Sequence, residues 1–388
     1  MPFKPPERLV NILILLITTS VCLVIFEICL RHFYGYGYLD QPLMYLKFHQ
    51  YDPEIGLILS PKREGMFRTA EGDRLYYVNI NSDGFRGSEI IDRESPKIAI
   101  MGDSFIFGYG MNQEDVFSTV LSELTNSDVV NFGISGTSID QMYLLLKRHI
   151  ITFTFSDVVI YISPNDFEDL LQQHRYGINS PYLVPTDETY EFSFPEEPWS
   201  DQCRYVESID QVVCESQPLK SQGKFFLKQF LLAYVLRFLR LPPDIRGEQA
   251  HNKSFLQSFS YEEFGRRFQT SPRSERSTIP SQTSQPLAEK AKRMNWILRK
   301  LLELAEEYQF RLHVIYDDLP QEEEAYLKQW YCPGRSCISF WQYQQEFLNQ
   351  FPDERLICLR NPHWNEIGHC LFAYVLYYNL FDESVGNQ

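Results

Sequence analysis

The sequence predicts an α/β fold: a three-layer α/β/α sandwich around a five-stranded parallel sheet, with one large insertion after the third strand. Three observations predict it. Short apolar runs alternate with segments of helical spacing from residue 97 onward, the rhythm of βαβ units. Turns rich in glycine, serine and asparagine follow the ends of those runs. The same alternation resumes at residue 287 after a long interruption rich in Pro, Ser and Gln.

The elements follow in order. "KIAIMG" (97–102) is the first strand, "EDVFSTVLSEL" (114–124) a helix, and "DVVN" (128–131) the second strand. Residues 138–150 return to helical spacing, and "DVVIYIS" (157–163) is the third strand. The rhythm then breaks over the insertion, 174–286, which ends in the loop "PRSERSTIPSQTSQP" (272–286). Inside it, "KFFLKQFLLAYVLRFLR" (224–240) reads as a very apolar helix packed over the sheet or over a site mouth. Its Lys and Arg residues leave open a membrane-surface role. A long amphipathic helix (287–309), the strand "RLHVIYDD" (311–318), a helix (339–349), the strand "RLICL" (355–359) and a C-terminal helix (365–380) complete the domain of residues 97–388. No internal repeat is present.

Upstream, residues 34–96 form a linker and β-rich lead-in, with hairpin turns at Glu71-Gly72-Asp73 and Ser82-Asp83-Gly84. Residues 9–30, "LVNILILLITTSVCLVIFEICL", are long and apolar enough to cross a hydrocarbon core of ~30 Å as a helix. No small-x-small cleavage site ends the run, so residues 1–33 are expected to be an uncleaved membrane anchor.

Composition narrows the partners. A net charge of −15 over 388 residues excludes nucleic acid as the main partner, since phosphate contacts need clustered Lys and Arg. Cys203 with Cys214, and Cys332 with Cys337, each bracket a short turn-rich stretch, where a disulfide closes a small loop. Neither pair has the neighbours of a zinc site. Disulfides and an anchor together point to an extracytoplasmic, periplasm-like location. Cys358 and Cys370 read as buried free thiols.

In an open parallel sheet, ligands bind beyond the carboxyl ends of the strands. There the sequence delivers Gly102-Asp103-Ser104, "NFGISGTS" (131–138), "SPNDFED" (163–169) and "RNPHWNEIGH" (360–369). A hydroxyl, a glycine turn, an amide and an imidazole are the parts of an acyl-transfer site. Asp317 and Asp318 read as loop residues, and no metal site is expected.

"GDSFIFGYG", "NFGISG", "SPND" and "PHWNEIGH", in this order and spacing, resemble the four blocks of the SGNH (GDSL-like) hydrolase superfamily. The resemblance covers residues 97–169 and 287–380. It implies a flavodoxin-like sheet order and a serine esterase that needs no cofactor. Ser104 would be the nucleophile that forms an acyl-enzyme, and His363 its base and then the acid for the leaving alcohol. The N–H groups of Ser104 and Gly136 and the side-chain amide of Asn165 would form the oxyanion hole. Gly133 is expected to serve the turn, Asp103 to brace its loop, and His369 to pack or cap its helix. The chain departs from the family pattern before the histidine, where Arg360 and Asn361 stand at the positions of the usual Asp. Asn361 can orient an imidazole but carries no charge. A dyad aided by Asn361 or a backbone carbonyl, an acid supplied from elsewhere, and a lapsed catalyst all stay open.

By analogy, the expected substrates are O-acyl esters, acetyl above all, of a surface polysaccharide or cell-wall glycan. Transfer to a sugar hydroxyl, or glycan binding and assembly without catalysis, are the alternatives. Expected partners are the acylated carbohydrate or other small ester, the membrane through the N-terminal helix, and a membrane-embedded acyltransferase.

Overall fold

The computed structural model describes residues 48–69, 74–175, 178–187, 189–196, 203–206, 211–214, 243–258, 289–359 and 362–382, with scattered helical positions between 11 and 25. The expected anchor and the apolar segment 224–240 lie largely or wholly outside these residues. Among the described residues no helix is long and apolar enough to cross a membrane.

The lead-in forms two antiparallel pairs, β1 (His49–Asp52) with β2 (Gly56–Leu59) and β3 (Arg63–Arg68) with β4 (Leu75–Ile80). Then come β5 (Lys97–Met101), α1 (Ser104–Phe107), α2 (Phe117–Thr125), β6 (Val129–Asn131), α3 (Ile139–His149), β7 (Phe155–Ile162) and α4 (Asp166–Asp169). The described parts of the insertion are three hairpin-like pairs and a helix. The pairs are β8 (His174–Arg175) with β9 (Ile178–Asn179), β10 (Tyr182–Pro185) with β11 (Tyr190–Ser193), and β12 (Cys203–Val206) with β13 (Gln211–Cys214). The helix is α5 (Pro243–Gln257). The remainder is α6 (Glu289–Tyr308), β14 (Arg311–Tyr316), α7 (Gln321–Trp330), β15 (Ser336–Ser339), α8 (Phe340–Gln350) and α9 (Glu366–Leu376).

The main sheet is five-stranded and wholly parallel, in the order β15-β14-β7-β5-β6. In chain order its strands lie 2-1-3-4-5, the flavodoxin-like arrangement, whose first and third strands flank the switch point. Both faces are covered, so the strands read as continuous apolar runs; Val158–Ile162 of β7 are fully buried. Side chains alternate between two cores. Ala99, Met101, Val158 and Ile160 meet α3 and α6 on one face. Ile98, Ile100, Val159 and Tyr161 meet α2, α8 and α9 on the other.

The fifth strand differs from expectation. β15 pairs in parallel with β14 from His313↔Ser336 to Tyr316↔Ser339, whereas "RLICL" contributes only an isolated antiparallel bridge, Ile357↔Trp364. The alternation in that segment is real, with Leu356 and Cys358 buried and Ile357 48% exposed. Its partner is local: Cys358 N–H donates to the His363 carbonyl and Asn365 N–H to that of Leu356, both at 2.9 Å. The segment is one arm of the loop that carries His363. Cys332 and Cys337 form a disulfide that ties α7 to β15, and Cys358 and Cys370 are buried thiols outside any disulfide among the described residues. Cys203 and Cys214 are register partners across β12 and β13.

The lead-in does more than precede the sheet. Phe48, Phe67, Tyr76, Val78, Ile80 and Phe85 belong to the core on the α3 and α6 side. Just after the turn at Gly84, Arg86 bridges antiparallel to Asn131 and so covers the exposed edge of β6. Its guanidinium is buried, lies 4.9 Å from the Phe107 ring, and donates to the carbonyls of Phe107 (2.7 Å), Gly108 (2.6 Å) and Met111. Burial lowers its pKa to about 10, which leaves it charged at neutral pH. Replacing Arg86 with Met strands these carbonyls away from water. The expected loss is about 3 kcal/mol in urea unfolding, with little recovery by Arg86→Lys, which lacks the planar fork. A loss below about 0.5 kcal/mol, the size of an ordinary surface change, would show that the clamp is incidental.

Candidate active site

Ser104 opens α1 directly beyond the tip of β5. Asp103 caps that helix, its Oδ1 accepting from Phe105 N–H at 3.0 Å, so it braces the loop as expected. After only four residues the chain turns at Gly108, whose φ of 82° is left-handed. The Ser104 carbonyl accepts from Gly108 and Tyr109 N–H, at 3.1 and 3.0 Å. The serine is thereby fixed on a tight strand-to-helix turn, half-buried at the sheet edge.

His363 arrives from the other end of the chain. Trp364 beside it is buried among Tyr161, Phe340 and Phe372, with ring centroids 4.8–5.2 Å away. Asn365 caps α9 through Ile367 and Gly368 N–H, both at 3.0 Å, and donates to the Arg355 carbonyl at 2.8 Å. These two residues hold the loop, and His363 reaches across it. Its Nε2 lies 2.7 Å from Ser104 Oγ, although the residues are 259 positions apart in sequence. The rings of Tyr109 and Phe105 flank the imidazole at 4.6 and 5.0 Å. Burial pushes the His363 pKa down from 6.5 to about 4. At neutral pH the imidazole is uncharged, and with Nε2 toward Ser104 it can accept the hydroxyl proton as the oxygen attacks.

The other predicted residues occupy the adjoining strand tips. Gly136 lies in the turn after β6, with a φ of 82° that suits glycine. Gly133 does not serve that turn. A Cβ there would sit 2.1 Å from Phe107 N and 2.5 Å from the Ile106 carbonyl carbon, so its bareness lets the β6 loop lie against α1. Asn131 fastens the same contact, donating to the Ile106 carbonyl at 2.8 Å and accepting from Gly133 N–H at 2.9 Å. Asn165 stands exposed before α4, beyond β7; its Nδ2 donates to Asp169 Oδ2 at 2.7 Å and its Oδ1 lies 2.9 Å from Ser163 Oγ. Ser104 and His363 are therefore joined directly, whereas Asn165 is linked to the Ser104 turn through Ser163 and Asp103 (3.0 Å). Asn361 and Arg360 lie outside the described residues. His369 is buried in α9, where its Nδ1 faces Phe117 N–H at 3.5 Å. Asp317 accepts from Tyr161 at 2.6 Å. Among the described residues no group of three or more His, Cys, Asp or Glu could hold a metal ion.

Sequence reasoning missed Arg86, and it missed Ser163 and Asp166 as a bridging pair. Nothing local marks Arg86 as buried. "SPND" does place Ser163 and Asp166 three residues apart around a turn, the spacing at which a side chain can accept from a backbone N–H.

No protein-family model matches the chain, and no curated protein matches it. Among solved structures, it is similar to a protein from Desulfitobacterium hafniense DCB-2 described as lipolytic and of the G-D-S-L family. The TM-score is 0.29 and the identity 11%, over 73% of this chain and 99% of that one. The fold assignment rests on strand order and register rather than on that likeness.

The lowered pKa of His363 has a kinetic signature. The folded histidine resists protonation until pH falls through about 4, so its Nε2 can still accept a proton across the range where a free imidazole would charge. The rate of covalent labelling by a fluorophosphonate should be level from pH 8 to about 5 and drop with an apparent pKa near 4. A midpoint near the ordinary 6.5 would show that the imidazole is solvated.

Proposed function

We propose that this chain is a serine ester hydrolase of the SGNH type, acting through an acyl-Ser104 intermediate. One observation carries the reading: a neutral, half-buried imidazole lies 2.7 Å from a hydroxyl at the carboxyl edge of a flavodoxin-like parallel sheet. Ser104 attacks the ester carbonyl carbon while His363 Nε2 takes the hydroxyl proton. The tetrahedral intermediate collapses as the histidine returns that proton to the departing alcohol. Water, deprotonated by the same nitrogen, then releases the acid and restores Ser104. The N–H groups of Ser104 and Gly136 and the Asn165 amide hold the oxyanion; one such donor is worth about 10²–10³ in rate.

Asn361 is the third member in this reading. Two residues before His363, it orients the ring without the charge that would stabilise an imidazolium. The substrate class is an O-acyl ester of an extracytoplasmic glycan. The Cys332–Cys337 disulfide supports an oxidising compartment, and the apolar run at 9–30 supports attachment to a membrane there.

A fluorophosphonate probe and small acetyl esters test the chemistry together. Wild type should label once per chain, Ser104→Ala should not, and His363→Ala should lose about 10³–10⁴ in rate. Failure of the wild type to label, or equal labelling of Ser104→Ala, would end the proposal. Asn361→Asp supplies the missing charge and should raise turnover of the same esters at neutral pH by about tenfold or more, since a carboxylate in this position is worth up to ~10⁴ elsewhere. An unchanged rate in the folded variant would remove Asn361 from the mechanism.

A further inference from the structure

Behind the Ser104 turn lies a group of oxygens with too few hydrogens. Ser163, at the end of β7, is fully buried, and its Oγ has three close oxygen neighbours. They are Asp166 Oδ2 and Asn165 Oδ1, both at 2.9 Å, and Asp103 Oδ2 at 3.0 Å. The amide cannot be turned to supply a hydrogen, because Asn165 Nδ2 already donates to Asp169 Oδ2 at 2.7 Å. Asp166 Oδ2 also accepts from Ser163 N–H at 2.7 Å. A serine hydroxyl has one hydrogen and can therefore satisfy one of the three neighbours. With both aspartates ionised, two of the contacts would set lone pair against lone pair, although Ser163 and both carboxyls are buried. Asp103 and Asp166 are 4% and 1% exposed, and Asp166 Oδ1 is buried with no partner among the described residues, which suits a neutral carboxyl far better than an anion.

We propose that Asp103 and Asp166 share a proton across the Ser163 hydroxyl at neutral pH, and that this shared proton positions Ser104 and Asn165 on adjacent strand tips. One added proton turns a repulsive contact into a donated hydrogen bond, in the manner of two carboxyls held too close for both to ionise. Burial raises the pKa of both residues, and Asp103 raises that of Asp166 further. The other ionisable groups facing the pair agree in sign. Asp169, from the same helix, adds negative charge; its own neutralising contact is Arg175 at 3.7 Å. Tyr161 of β7 stays protonated, its pKa driven well up by burial and by Asp317. On the solvent side, Lys290 of α6 is held by Glu168 and Glu323, at 2.5 and 2.6 Å. Asp103 and Asp166 are positioning residues: Asp103 caps the helix that Ser104 opens, and Asp166 holds the turn of Asn165.

The shared proton can be seen without any substrate. Infrared difference spectra at pH 7, wild type minus Asp103→Asn and wild type minus Asp166→Asn, should both show a protonated-carboxyl stretch. Each amide removes one charge and lets the remaining carboxyl ionise. A band in one difference only would assign the proton to a single residue and overturn sharing; a band in neither would overturn the proposal. Should a variant fail to fold, alkaline titration of the wild type alone must remove the band reversibly, and its absence at pH 7 refutes the idea equally. The kinetic consequence rests on Ser104 as nucleophile. Fluorophosphonate labelling of the wild type should fall about 10²-fold or more, the scale of one lost oxyanion donor, as the pair loses its proton at high pH. Asp166→Asn should hold its rate there, whereas Asp166→Ala should lose it at all pH values. An identical alkaline fall in Asp166→Asn overturns the positioning role. A wild type that shows the band but does not label refutes the esterase reading and leaves the shared proton standing.

Discussion

A single buried guanidinium holds the Ser104 turn in shape. The helix that Ser104 opens is four residues long, too short to satisfy its own carbonyls. The carbonyls of Phe107, at its end, and of Gly108 and Met111, in the turn that follows, all accept from the Arg86 guanidinium. Because it stays charged at neutral pH despite its burial, each of these hydrogen bonds is charge-assisted, roughly twice as strong as a neutral one. The backbone of the same residue closes the edge of β6. One side chain from the lead-in thus ends the sheet and fixes the turn on which Ser104 sits.

The same economy governs the electrostatics. Burial penalises charge wherever it falls, and the site turns that penalty to use in opposite directions. It keeps the His363 imidazole neutral, which is the form that accepts a proton. It holds the carboxyls of Asp103 and Asp166 above their usual range, which limits the negative charge beside a position where an oxyanion would form. The His363 imidazole sits between the rings of Phe105 and Tyr109, and the two carboxyls sit where they are almost wholly out of water.

Legibility in the sequence followed the range of the interactions. The parallel sheet was readable because strands buried on both faces need continuous apolar runs, and Ile98–Met101, Val158–Ile162 and Val314–Tyr316 are such runs. Ser104 and His363 were readable as tips of predicted elements. The fifth strand was not: "RLICL" has the period of a strand, but its hydrogen bonds close a local loop, while the true edge strand "SCIS" is short and weakly apolar. Gly133 was readable as a special position but not as a close approach to α1, which depends on how two loops stack. Arg86 was invisible, since a charged residue after a turn is ordinarily solvated.

The His363 loop shows why the lead-in and the insertion both belong to the site. Arg74 is buried and pairs with Glu366 at 2.8 Å, in the first turn of α9, and with Glu248 of α5 at 3.2 Å. Asn252 of α5 donates to the same Glu366 at 2.7 Å, and Glu248 accepts from Leu359 N–H at 3.2 Å. Three segments far apart in sequence therefore converge on the two arms of one loop. A buried ionic network of this kind adds little to net stability, because desolvation offsets most of its attraction. It does specify geometry, since a displaced partner leaves a charge unpaired. The loop lies outside the sheet, so contacts of this kind anchor its two arms, between which His363 Nε2 lies 2.7 Å from Ser104 Oγ.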